Sequence, residues 1–298
     1  MIVVLAGGIG AARFLRGLLS VTSEEIVVVG NTGDDITLHG LRVCPDLDTV
    51  TYTLGNAVHE EQGWGRADES FTVAAELAEY GEPTWFRLGD RDLATHLLRQ
   101  KLLDAGVPLH VVTQRIADRW QIPVTLLPMT NHPVETRVLA DGREMHFQEY
   151  WIGMHAAVPV DRVWLHDATN ATPAPGVVEA IERADTILLP PSNPVVSIGT
   201  ILAVPGIRAA VENAKARKVG VSPIIGNAPV RGMADRMLAA IGVACTAEAV
   251  GAHYGFLDAW LVDPVDAHAA IDGVDVRVVP LWMTDDEATA TIAKVALL

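Results

Sequence analysis

The chain has 298 residues, 50% of them hydrophobic and 20% charged, enough to bury a large core as one big α/β domain or two smaller ones. Its 22 Lys and Arg against 37 Asp and Glu leave a formal charge of −15, which argues against nucleic acid or an anionic membrane surface as a partner. Two cysteines, Cys44 and Cys245, make neither a disulfide framework nor a structural zinc site.

The opening "MIVVLAGGIG" is apolar but short, lacks a basic leader and runs into glycines, so it reads as a first strand. No run approaches the ~18–20 apolar residues that span a bilayer, and the expected location is the cytoplasm. "AARFLRGLLS" places Ala11, Phe14, Leu15, Leu18 and Leu19 at helical spacing, and "EEIVVVG" is a second continuous apolar strand. Together they predict a right-handed βαβ unit. From about Trp64 the runs become amphipathic. "SFTVAAELAEYG" and "LATHLLRQKLLDAG" read as surface helices closed by glycine. "PLHVVTQRIADRWQIPVTLLPMT" reads as strand, helix, strand, and "ETRVLADGREMHFQEYW" as a hairpin around Asp141-Gly142. The βα rhythm returns at "ADTILLPPSNP" and continues through "KVGVSPIIG", "MADRMLAAIG", "DAWLVD", "VDVRVVP" and "DEATATIAKVALL". The expectation is an α/β, Rossmann-like, doubly wound and mainly parallel sheet built from residues 1–63 and 161–298. An inserted α+β subdomain, residues 64–160, would cover the substrate.

Four motifs carry the chemistry. In "AGGIGAAR", a glycine turn between the first strand and the first helix lets backbone N–H groups approach phosphate at a helix N-terminus. Gly7, Gly8 and Gly10 are the candidates, with Arg13 as an added cation. Arg13 stands where a dinucleotide fingerprint needs its last glycine, and the Lys of a P-loop is absent. "NTGDD" follows the second strand, and "CPDLDT" adds Asp46 and Asp48. Asn31, Thr32 and Gly33 would face phosphate at the strand end. Clustered carboxylates repel unless a cation separates them, so Asp34, Asp35 and Asp46 are candidate Mg²⁺ ligands; the alternative is a set of turn and cap residues. "TWFRLGDRDLATH" offers Trp85 and Arg87 as a platform and clamp for a flat anionic substrate, or as core packing. "LPPSNPVVSIGTIL" brings Ser192 and Asn193 to a sheet edge and opens a helix near Ser197 whose free N–H groups suit phosphate. The histidines lack metal-ligand spacing, and no nucleophile signature calls for a covalent intermediate.

These motifs, in order, make the sequence similar to the 2-phospho-L-lactate transferase family of deazaflavin coenzyme biosynthesis, and within it to the bacterial branch linked with phosphoenolpyruvate. The resemblance rests on "LAGGIGAARFLRGL", "VVGNTGDD", "CPDLDTVTYTL", "WFRLGDRDLATH", "PPSNPVVSIGTIL" and "SPIIGNAPVRGMADRML". It implies a Mg²⁺-dependent transferase, usually a homodimer, with two small-molecule substrates. The acceptor is 7,8-didemethyl-8-hydroxy-5-deazariboflavin (Fo), and the donor is a GDP ester of lactate or enolpyruvate. The ribityl hydroxyl of Fo attacks the phosphorus next to the organic acid and GMP leaves. The family's acceptor-binding Asp and basic residue fall on Asp48 and Arg87, and Asp48 is the candidate base. Two other readings stay open on the residues alone: a non-catalytic nucleotide- or deazaflavin-binding regulator, and an NAD(P)-dependent oxidoreductase, which the glycine pattern and Asn31 disfavour.

Overall fold

Strands β1 (Ile2–Ala6) and β2 (Ile26–Gly30) are buried at every position in the computed structural model, which describes residues 1–298. Alternate side chains of a strand leave on opposite faces. Val3 and Leu5 enter one apolar core, while Ile2, Val4 and Ala6 enter the other. A strand covered on both sides has no polar face, which is why both runs are uninterrupted in the sequence. Helix α1 (Gly8–Val21) joins them and buries Ala11, Phe14, Leu15 and Leu18.

Strands β3 (Ile36–Leu38) and β4 (Leu41–Val43) pair as a small antiparallel hairpin leading into helix α2 (Pro45–Leu54). Helices α3 (Thr72–Glu79), α4 (Asp90–Asp104) and α5 (Leu109–Trp120) follow. Strand β5 (Thr125–Pro128) then returns to the main sheet and pairs parallel with β2. A second, antiparallel sheet holds β6 (Glu135–Ala140), β7 (Arg143–His146) and β8 (Val160–His166). Its first turn is Asp141-Gly142, both at positive φ, as a two-residue hairpin requires. Strands β9 (Thr186–Leu189), β10 (Arg217–Val221), the short pair β11 (Ile224–Ile225) and β12 (Ala228–Pro229), β13 (Ala259–Val262) and β14 (Asp275–Val278) complete the set. The C-terminal helix Asp286–Leu297 packs on α1.

The main sheet is seven-stranded and parallel, in the order β14-β13-β10-β9-β1-β2-β5. Strand order reverses between β1 and β9, so their connections run in opposite directions and leave a crevice beyond their carboxyl ends. The Rossmann-like sheet is the one read from the sequence. Two details differ. Strand β5 lies within residues 64–160 yet belongs to the core sheet, so the segment expected as one insertion is divided by a core strand. "PLHVV" is the start of α5 and not a strand. Pro108 sits at its N-cap, and Leu109, Val112, Thr113 and Ile116 are buried at helical spacing.

No single helix is long and apolar enough to cross a membrane. The bent pair Pro194–Ala203 and Ile207–Asn213 is apolar because Ile198, Ile201, Leu202, Val204, Ile207 and Val211 lie in the core.

Candidate active site

Beyond the carboxyl ends of β1, β9 and β10 lies a cavity of about 630 Å³. One end is built from the glycine turn. Gly7 through Gly10, Ser192, Asn193 and Ser197 line it. The N-cap residue Gly7 has no side chain to cap α1, and the Asp46 carboxylate accepts from the Gly8 N–H at this turn, so the turn and the acid meet at the cavity wall. The glycines serve a second purpose. A Cβ on Gly7 would overlap the Ser197 side chain, and one on Gly10 would overlap the Pro191 carbonyl oxygen. Only glycine lets the loop after β1 press against the loop after β9. Ser192 Oγ locks that contact by donating to the Gly7 carbonyl at 2.9 Å.

Beside this turn sits the acidic cluster. Asn31, at the end of β2, is fully buried and spends every polar atom on structure. Its Nδ2 donates to Asp46 Oδ2 at 2.9 Å and to the Val196 carbonyl at 3.1 Å. Its Oδ1 accepts from the Gly33 N–H at 2.8 Å and from Thr200 Oγ1 at 2.7 Å. Asp34 and Asp46 line the cavity. Burial pushes the Asp34 carboxyl well above its ordinary range, and the nearby Asp46 and Asp35 carboxylates push the same way. Burial lifts Asp46 to about 7, although the Asn31 amide favours its charged form. Asp35 turns away from the cavity. Its Oδ2 accepts from Arg42 Nε at 3.2 Å, Arg42 Nη2 at 3.1 Å and Cys44 Sγ at 3.0 Å. Burial still raises Asp35, with Arg42 opposing.

The other end of the cavity centres on Asp48, in the first turn of α2. Asp48 is buried, and the fully buried Arg99 guanidinium grips its Oδ1. Its Oδ2 is buried, has no hydrogen-bond partner, and belongs to a residue that lines the cavity. Behind it stands a chain of polar groups on α4. Arg99 Nη1 donates to His96 Nδ1 at 3.0 Å. Because Arg only donates, the His96 proton sits on Nε2, which lies 3.3 Å from Asp92 Oδ2. Tyr52 donates to Asp92 Oδ1 at 2.6 Å. Burial would raise Asp92, but His96, Tyr52 and Arg99 together hold it below its usual value. Burial likewise opposes the charge on Arg99, and Asp48 more than restores it. Phe86, Arg87, Trp64, Phe147 and Trp151 also line the cavity, and the Arg87 guanidinium stacks 4.2 Å from the Phe71 ring centroid.

The arrangement joins a glycine turn at a helix N-terminus to an oriented carboxylate with one unpartnered oxygen, both lining one cavity. A family model described as 2-phospho-L-lactate transferase CofD matches residues 2–287. The chain belongs to that family. It is 60% identical to a phosphoenolpyruvate transferase of Kitasatospora aureofaciens, covering 99% of this chain and 96% of that one. It is 60% identical to one of Streptomyces coelicolor, over 99% and 97%, and 57% identical to one of Thermobifida fusca, over 99% and 96%. Among solved structures, a UPF0052-family protein of Bacillus halodurans superimposes with a TM-score of 0.67 at 18% identity, over 100% of this chain and 98% of that one; this likeness speaks for the fold alone.

In this CofD-family chain the structure gathers Gly7, Gly8, Gly10, Arg13, Asp34, Asp46, Asp48, Arg87, Ser192, Asn193 and Ser197 around one cavity. Several expected site residues lie elsewhere. Asn31, Thr32 and Gly33 are buried under the cavity and do not line it, because the chain dives inward to tie β2 to the loop after β9. Asp35 is neutralised by Arg42. Trp85 packs edge-on against Phe86 and over Gly153, in a small cluster with Ile36, Val43 and Leu88, so Phe86 is the aromatic that reaches the cavity. The helix expected to open near Ser197 begins one turn earlier, at Pro194, and Asn193 Oδ1 already accepts from Val195 N and Val196 N. Those N–H groups are therefore not free for phosphate. No three His, Cys, Asp or Glu side chains gather as a metal-binding group. The cluster offers the pair Asp34 and Asp46, the number of carboxylates Mg²⁺ takes when phosphates and waters complete its shell. Asp34 Oδ1, buried and unpartnered, fits such a role.

Arg99 and His96 had no place in the sequence reading of the site. Their signal was present: Asp92, His96 and Arg99 fall at i, i+4 and i+7 on one face of α4. Asp90, by contrast, caps a neighbour. Its carboxylate accepts from Ser70 Oγ and the N–H groups of Thr72 and Val73 at the start of α3, while Glu69 caps α4 through Arg91 N and Asp92 N.

Proposed function

We propose that this protein transfers a phosphoenolpyruvyl group, or its 2-phospho-L-lactyl counterpart, from a GDP ester to the ribityl hydroxyl of Fo. The observation that carries the reading is that Asp48, whose Oδ2 has no hydrogen-bond partner, lines the same cavity as the glycine turn at the N-terminus of α1, in a chain matched to the family almost end to end. Phosphoryl transfer is mostly positioning and charge stabilisation. The glycine turn and the α1 N–H groups would bind the donor diphosphate. Asp48 Oδ2 would accept the hydrogen bond, then the proton, of the attacking hydroxyl, and Phe86 and Arg87 would hold the flat acceptor. The hydroxyl oxygen bonds to the phosphorus bearing the organic acid, the bridging P–O bond breaks, and GMP carries away its electron pair. Mg²⁺ held by Asp34 and Asp46 would neutralise charge on the diphosphate. We read the enzyme as a cytoplasmic homodimer, and light scattering of the purified protein tests the assembly. The activity is tested by GMP release that requires both Fo and the ester. Tight GDP or Fo binding without release would favour the non-catalytic regulator.

The metal assignment has its own test. Asp46 keeps its proton to about pH 7 in the folded protein, whereas an unfolded Asp ionises near ~3.9. Between those values the folded state holds more protons, so stability falls as pH rises and the loss is complete above the folded value. Asp90, held at about 2, and Asp92, also held low, act only below this window. A cation that binds the folded state alone reverses the loss. The melting midpoint without divalent cations should therefore drop between about pH 4 and about pH 7 and stay low above it, where Mg²⁺ should restore it. A midpoint at about pH 8 that Mg²⁺ raises neither alone nor beyond the effect of added GDP removes Asp34 and Asp46 as ligands.

A further inference from the structure

Three arginines that line the cavity have no acidic partner; Arg87 stacks on Phe71, and the other two stand together. Arg13, on the second turn of α1, and Arg231, in the loop before the helix Ala234–Ala240, both line it. Neither appears in any ion pair, although the chain carries 37 acids. Arg16, one turn further along α1, shows the usual arrangement: Glu60 and Asp286 each approach it at 3.3 Å. The two head groups approach the same point of the backbone. Arg231 Nη1 lies 3.5 Å, and Arg13 Nη2 3.6 Å, from the point where a Cβ on Gly63 would sit. Burial and then the Arg13 charge weaken the hold of Arg231 on its proton. Arg231 is also anchored, since its Nη2 donates to the Gln62 carbonyl at 2.7 Å.

Two cations brought together against their repulsion make a site for an anion. The donor diphosphate already has its counterparts in the α1 N–H groups and the Asp34–Asp46 pair. A planar guanidinium fork matches a carboxylate, and the GDP ester carries one more anionic group, the carboxylate of its three-carbon acid. Resting on the transfer reading above, we infer that Arg13 and Arg231 clamp that carboxylate. They thereby select a donor bearing a carboxylic acid over plain GDP. The pair reaches in from two separate elements, the first helix of the sheet and the loop after β12, so both must be in place for the clamp to close.

The test compares two ligands. Calorimetry with wild type, Arg13→Met, Arg231→Met and Arg231→Lys would use GDP and the GDP ester of enolpyruvate, each with Mg²⁺. Each Met variant should bind the ester roughly 10- to 100-fold more weakly, the loss of a charge-assisted hydrogen bond, and should bind GDP as wild type does. Arg231→Lys, which keeps the charge but not the fork, should recover part of the ester affinity. Equal weakening toward GDP and ester would assign the pair to the diphosphate and overturn the inference, as would unchanged ester binding. Wild type that binds neither ligand would instead sink the transfer reading itself. Arg231 is exposed, so its variants should fold, and circular dichroism checks this.

Discussion

Replacing Asp48 by Asn is expected to lower kcat by roughly 10²- to 10⁴-fold, the usual contribution of a positioned general base. The change is nearly isosteric. It keeps a carbonyl oxygen for Arg99 but puts an amide where Oδ2 now has no partner. GDP-ester affinity should hardly change, because the contacts proposed for the donor, the glycine turn and the Asp34–Asp46 pair, do not include Asp48. Fo affinity should fall less than kcat. Steady-state GMP release, with separate titrations of Fo and ester, divides these effects. Full rate and full Fo affinity in Asp48→Asn would show that the carboxylate neither accepts the proton nor orients the hydroxyl.

The second large effect is expected at Arg99. Arg99→Met should destabilise the protein by about 3–5 kcal/mol, the penalty for leaving one charge of a buried pair alone. Arg99 is only 2% exposed and is the one cation on Asp48 Oδ1. His96 would lose its donor as well, because Arg99 Nη1 is bonded to its Nδ1. Urea unfolding measures the loss. The double variant Arg99→Met, Asp48→Asn should recover part of it, since no unpaired charge then remains. Wild-type stability in Arg99→Met would mean that Asp48 is held by something other than this pair. Recovery of stability without recovery of rate in the double variant is the pattern expected if Arg99 positions a group whose chemistry belongs to Asp48.

These two residues illustrate what a sequence does and does not disclose. Asp48 was legible because "CPDLDT" follows a strand at the edge where an open sheet binds ligands, and because the family resemblance places its acceptor-binding Asp there. Arg99 was not, because α4 is studded with charge and reads as a solvated surface helix, yet its Asp92–His96–Arg99 face turns inward onto α2. The core strands β1, β2, β9 and β13 were readable as apolar runs, since burial on both faces leaves no polar alternation. Strand β5 was not assigned to the core, because its four residues belong there only through pairing with β2, a contact nearly 100 residues away in sequence. The glycine turn was found for its approach to phosphate. Its packing role against Pro191 and Ser197 depends on a loop far along the chain and left no local trace. The acids of "NTGDD" and "CPDLDT" read as one cluster in the sequence, because composition could not divide them. The fold sends Asp35 to Arg42, Asp48 to Arg99, and leaves Asp34 with Asp46.

The most direct measurement is mass spectrometry of the product formed from Fo, Mg²⁺ and each GDP ester in turn. The account predicts a phosphodiester of Fo bearing the intact phosphoenolpyruvyl or phospholactyl group, formed mole for mole with GMP and lost in Asp48→Asn. Unchanged Fo with both esters, or a product carrying guanylyl in place of the organic acid, would contradict it.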